Sequence, residues 1–163
     1  NATLTINKTS ASPSLVSLNV LAPLVNDNYS LEFNCPAPTV PTIPCGAGAT
    51  YSGGVAYPTI ENVNLGTDTG TVTLNYEAYG VPDRFVVEFD GLVVIDTGYV
   101  GAIGYQNQLN NALIALGEPT APIVGIGNGT ISFNKTTATT TAIVKVYAPM
   151  SGTAWNFTLL CPV

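Results

Sequence analysis

The 163-residue chain contains no histidine, and only 9% of its residues are charged, against roughly a quarter in an ordinary soluble domain. It therefore lacks the usual general base and the commonest metal ligand. Its four basic side chains, Lys8, Arg84, Lys135 and Lys145, are scattered among ten acidic ones. Binding nucleic acid through counterion release needs a clustered basic patch, so no nucleic acid partner is expected. No apolar run approaches the ~18 residues that mark a membrane helix, and no membrane insertion is expected. Nor does the N-terminus carry a basic segment followed by an apolar one, so a secretion signal is expected to be absent or already removed. Disorder is excluded by the 46% hydrophobic content and a mean hydropathy of +0.33, enough to bury a core.

What the chain does have is an internal repeat. Residues 1–12 (NATLTINKTSAS) align with 128–139 (NGTISFNKTTAT), and residues 15–36 align with 141–162. Asn-Lys-Thr, Ala-Pro and Cys-Pro recur in the same order at an offset of 127 residues in the first block and 126 in the second. Residues 37–163 themselves number 127. The chain thus divides into three parts. Residues 1–36 are the last strands of a preceding repeat, or donor strands to a neighbouring subunit. Residues 37–45 are a linker, and residues 46–163 are one complete module. A segment of a longer tandem array is the expectation.

Cysteine arithmetic follows the same division. Cys35 is the repeat equivalent of Cys161, and Cys45 stands near the start of the module. Two pairings are open: Cys45–Cys161 within the module, or Cys35–Cys45 across the junction. Cys45–Cys161 is preferred because it staples the start of the module to its final strand. Either leaves one thiol whose partner lies outside this chain. Paired cysteines imply an oxidising, extracellular setting. The linker, with Pro36, Pro38, Pro41 and Pro44, favours a stiff polyproline II spacer.

Short alternating runs predict strands at Thr71–Tyr79, Arg84–Phe89, Leu92–Asp96, Thr130–Lys135, Ala142–Ala148 and Trp155–Cys161, with another near Thr50–Tyr57. Asp90-Gly91 between two apolar runs predicts a tight hairpin. One amphipathic helix is expected from Tyr105, Leu109, Leu113 and Leu116, with Gly117 as its stop. The fold class is mainly all-β, an antiparallel Ig-like β-sandwich with one short helix on a sheet edge.

Few residues suggest chemistry. Glu77, Asp83, Glu88, Asp90 and Asp96 crowd one stretch and raise calcium, which takes carboxylate and carbonyl oxygens from loops. Each also has an ordinary turn or ion-pair explanation, and the expected cofactor set is none. Asp96-Thr97-Gly98 matches an aspartic-protease triplet but occurs once, where two apposed carboxylates are needed. The Gly125–Gly129 run leads into a strand and reads as a loop, not a phosphate cradle. Lys8 and Lys135 share a repeat position. They read as exposed strand-end lysines that discourage edge pairing, with an isopeptide crosslink as the sharper alternative. Sequons begin at Asn1, Asn7, Asn28, Asn128, Asn134 and Asn156. Tyr51, Tyr57, Tyr76, Tyr79, Tyr99, Tyr105, Tyr147 and Trp155 could line a sugar-binding face, although such rings more often fill cores.

Tyr79-Gly-x-Pro-Asp-Arg-Phe85, Phe89-Asp-Gly91, Asp96-Thr-Gly98 and the closing SFNKT…APMSGTAWNFTLLCP resemble modules in large repetitive surface proteins of Bacteroidota and in virion appendages of their phages. The resemblance spans most of residues 65–162 and carries over no functional residue. It implies an extracellular or virion role that is structural and adhesive, without enzymatic activity. The expected partners are neighbouring copies of the module, with surface glycans, and calcium assistance, as the carbohydrate-binding alternative.

Overall fold

Alternation along the strands builds two facing sheets. In the segment Thr141–Tyr147, Ala142, Val144 and Val146 are buried; in Ala154–Leu159, Trp155, Phe157 and Leu159 are. The computed structural model describes residues 41–52 and 57–163, which lie in a compact unit from Pro38 to Val163. The strands expected within residues 1–36, together with Cys35 and Lys8, lie outside the described residues.

Ten strands are present among the described residues. They are β1 (Thr42–Pro44), β2 (Gly48–Ser52), β3 (Thr59–Asn64), β4 (Gly70–Glu77) and β5 (Asp83–Phe89), then β6 (Leu92–Val100), β7 (Ile123–Gly125), β8 (Asn128–Lys135), β9 (Thr141–Tyr147) and β10 (Ala154–Leu159). One sheet has the order β1-β3-β9-β5-β6-β7 and the other β2-β10-β4-β8. The result is a sandwich, mainly antiparallel, as the strand pattern predicts.

Two edge pairings depart from that pattern, because β1–β3 and β6–β7 are parallel. Parallel neighbours need a long crossover. Between β1 and β3 the chain visits the other sheet as β2. Between β6 and β7 it forms a 3-10 turn (Ile103–Tyr105) and α1 (Gln106–Ala115). The helix is thus the crossover of a β-α-β unit. Thr42–Pro44, expected as linker, pairs with β3 at Asn62–Asn64.

The Asp90-Gly91 hairpin has positive φ at both residues, 51° and 76°, the backbone that such a two-residue turn requires. The main core lies between the sheets. Phe85 on β5 meets Trp155 edge-on at 6.4 Å, and Trp155 stacks on Phe157 at 6.1 Å. A second core forms under the helix, where Leu109 and Leu113 pack with Tyr99 and Ile123. Burying each of these leucines contributes about 1.5–3 kcal/mol. Tyr105 and Leu116, expected on the same apolar stripe, are exposed at the helix ends. Gly117, at φ +78°, ends the helix as a left-handed C-terminal residue.

Candidate functional site

The strand directions separate the module into two ends. At one end, which we call the base, β1 finishes at Cys45 and the chain leaves β10 at Cys161. These two cysteines form a disulfide with Cα atoms 5.0 Å apart. Around it Cys45 N donates to Asn64 O (2.9 Å) and Gly46 N to Leu159 O (2.8 Å). Beyond β10 the chain continues along β4: Leu160 N donates to Thr73 O, and Thr71 and Val163 exchange two main-chain bonds. The chain therefore enters and leaves the module at one place.

Lys135 also lies toward the base. The expectation of an exposed strand-end lysine is corrected here, because its side chain is buried, with a residue exposure of 1%. Its Nζ donates to the main-chain carbonyls of Asp68 (2.6 Å) and Thr137 (2.7 Å) and sits 5.9 Å from the centre of the Phe89 ring. These partners are carbonyls of two loops, not the carboxamide and carboxylate an isopeptide needs. Lys135 ties those loops to the sheet.

At the other end, the tip, the loops after β4, β6, β7 and β9 meet. Tyr79 adopts φ +52°, a backbone region uncommon for a bulky side chain. Three contacts hold it there. Tyr79 N donates to Glu77 Oε1 (2.8 Å), Ala78 N to Gly127 O (2.5 Å), and Asn156 Nδ2 to the Tyr79 hydroxyl (2.9 Å). A Cβ on Gly127 would fall 2.1 Å from Tyr79 O, so this member of the glycine run admits the main chain of Tyr79. Tyr79, Ile103 and Ile126 stand exposed on these loops, at 55%, 70% and 74%. Leu92, Val93 and Leu160 are exposed toward the base.

Asp83 is the buried acid of the tip. It has no exposed surface, and its two carboxylate oxygens accept from the Thr153 hydroxyl at 3.0 and 2.7 Å. Burial pushes its carboxyl up to about 7, against the lowering effect of that hydrogen bond. On the outer face of the larger sheet, Arg84 makes a two-pronged bond to Asp96, Nε to Oδ1 at 2.8 Å and Nη2 to Oδ2 at 2.5 Å. Hydrogen bonding to Arg84 holds the Asp96 carboxyl below its ordinary value.

The five acidic residues that raised calcium do not converge. Glu77 binds the Tyr79 amide, Asp83 binds Thr153, Glu88 pairs with Lys145, Asp90 accepts from Thr137, and Asp96 pairs with Arg84. Among the described residues no group of three or more His, Cys, Asp or Glu side chains is placed to hold a metal. Asp96-Thr97-Gly98 is not a turn but an irregularity inside β6. Thr97 Oγ1 accepts from Phe85 N (2.9 Å) where the ladder slips, and Gly98 takes φ +63°. This is how a β-bulge substitutes a side chain for a missing ladder partner.

Most of the aromatic rings are engaged. Trp155 and Tyr99 are buried, and Tyr76 packs on Phe85. Arg84 lies over the Tyr147 ring at 5.5 Å, Tyr57 meets Tyr147 edge-on, and the Tyr57 and Tyr99 hydroxyls are 2.9 Å apart. Burial, more than this hydrogen bond, raises the Tyr99 hydroxyl above its ordinary value. Tyr79 and Tyr105 are left exposed, while the side chain of Tyr51 lies outside the described residues. Sequons Asn128 and Asn134 are exposed on β8. Gln106, the first residue of α1, clasps β7: its Oε1 accepts from Ile123 N and its Nε2 donates to Ala121 O, both at 2.8 Å. Comparison of the chain with protein-family models, with curated proteins and with solved structures finds no match.

Proposed function

We propose that the chain is part of a non-enzymatic structural and adhesive repeat, a module of an extracellular filament, cell-surface adhesin or phage appendage. Its partners are neighbouring copies of the same module. One observation carries this proposal: a disulfide closes the module at the place where the chain comes in and goes out, while Cys35 repeats the position of Cys161. A cysteine of that kind at each module boundary is what serial, separately stapled modules require. A disulfide fits an oxidising extracellular compartment. Among the described residues no helix is long and apolar enough to cross a membrane.

Electron microscopy of the parent protein, isolated from cell or virion surfaces, tests this. Regularly spaced globular modules along a thread are expected, and a single compact particle without periodicity overturns the proposal. A carbohydrate-binding module is the second reading, favoured by the exposed rings of Tyr79 and Tyr105. It requires glycan-array binding that Tyr79→Ala abolishes, together with thermal stabilisation by the sugar. Silence on the array removes it.

A further inference from the structure

We propose that the Cys45–Cys161 disulfide is the load-bearing link of the parent chain, so that tension along the array bypasses the sandwich altogether. This rests on the proposal that the chain belongs to an array. The geometry is local. β1 runs into Cys45, Cys161 follows β10, and the two Cα atoms are 5.0 Å apart. A pull applied before Cys45 and after Cys161 meets a covalent bridge before it reaches the 116-residue sequence separation that the bridge closes. Among the described residues, the pairings outside the bridge that carry load are Thr42–Pro44 against β3 and Val163 against Thr71.

The strand directions show why a bypass matters. β10 carries the hydrogen bonds of both β2 and β4, and its C-terminal end lies at the base beside Cys45. Without the bridge, the same pull would peel β10 away from that end, breaking its ladder bonds one after another instead of together. Sequential peeling is the weak way to load a sheet, and forced unfolding follows the unfolding rate. The bridge removes this direction of loading entirely. Each module then hangs from one disulfide, with the Tyr79, Ile103 and Ile126 tip at the end of the sandwich opposite that bond at any tension it survives. Reduction would convert each pendant module into a long slack reserve.

Single-molecule pulling on the full chain, with handles at residues 1 and 163, tests the inference. In the oxidised chain, the segment up to Cys45 releases at most roughly 160 Å at about 3.5 Å per residue. No further unfolding step is expected, up to rupture. The same folded chain treated with a phosphine reductant in the instrument should add a step of roughly 400 Å. Cys161→Ser, if it folds, should add it without reductant. A step of that size in the oxidised chain overturns the bypass, and so does a reduced chain that never shows it. The measurement needs only one chain. Its failure is thus distinct from failure of the array, which the periodicity of the parent protein decides.

Discussion

Asp83 shows at the scale of one residue how the sandwich depends on pH. Its carboxyl titrates near 3.8 in the unfolded chain and at about 7 in the folded one, so the folded state holds the proton more tightly. Stability is fully present below about pH 4 and falls as pH rises from there through about 7, by on the order of 2–4 kcal/mol. Asp96 has the opposite sign. Its folded value is depressed by Arg84, so its contribution is present above the ordinary carboxylate value and is lost in acid. Chemical denaturation from pH 4.5 to 8 should show the wild type weakening while Asp83→Asn stays level and is the more stable form at pH 8. Parallel profiles would contradict the assignment. Lysines supply a second contrast. Lys135→Met strips a buried donor from two carbonyls and should cost about 1–3 kcal/mol. Lys145→Met breaks a partly exposed ion pair with Glu88 and should cost under about 1 kcal/mol. Equal losses at the two sites would sink the distinction. Nothing in the sequence separates these lysines, because burial of Lys135 depends on Asp68, from a loop 67 positions away.

At the scale of elements, legibility tracked how much a segment owes to its own pattern. β4, β8, β9 and β10 alternate cleanly, and the Asp90-Gly91 turn follows from backbone sterics alone. β3 was not legible: in Thr59-Ile-Glu-Asn-Val-Asn64 only Thr59 and Val63 are buried, and the strand is held by β1 and β9 on either side. β1 was hidden by prolines that argue for a spacer, and β7 by its three-residue length. The arrangement of the acidic stretch was not legible either. Glu88 and Asp96 share the outer face of β5 and β6, but each is bonded to its own cation, Lys145 and Arg84, while Asp83 is buried against Thr153. The crossover has its own test. Leu109→Ala should cost about 2–5 kcal/mol, and Gln106→Ala about 1–3 kcal/mol by leaving the Ile123 amide and Ala121 carbonyl unpaired. Ile114→Ala, at an exposed position on the same helix, should change stability by under about 0.5 kcal/mol. Thermal melts of the three variants check the order. A Gln106→Ala melt that matches Ile114→Ala would remove the clasp.

For the whole molecule, the repeat and the disulfide combine. The residues shared by the two copies have physical reasons in the copy that is described. Lys135 anchors two loops, Val146 is fully buried in the core, and Cys161 closes the base. A bridge across so long a loop is worth about 4–5 kcal/mol in the chain-entropy model. Reduction should accordingly lower the melting temperature by about 10–20 °C, and an unchanged melt would deny the bridge its stabilising role. The fold class was legible from local pattern, whereas repeat arithmetic left two cysteine pairings open, of which the fold contains Cys45–Cys161. The clasp of Gln106, the strain at Tyr79 and the shared location of the chain's way in and way out were not, because each is created by tertiary contact.

The claim that this is one module among several is tested most directly by reading the parent coding sequence on both sides of the chain. Further copies are expected, carrying Asn-Lys-Thr, Ala-Pro and Cys-Pro at the spacing of 126 to 127 residues seen here. Upstream there should be a cysteine equivalent to Cys45, placed to pair with Cys35. Flanks that hold no such copy, or an upstream copy without that cysteine, would contradict it.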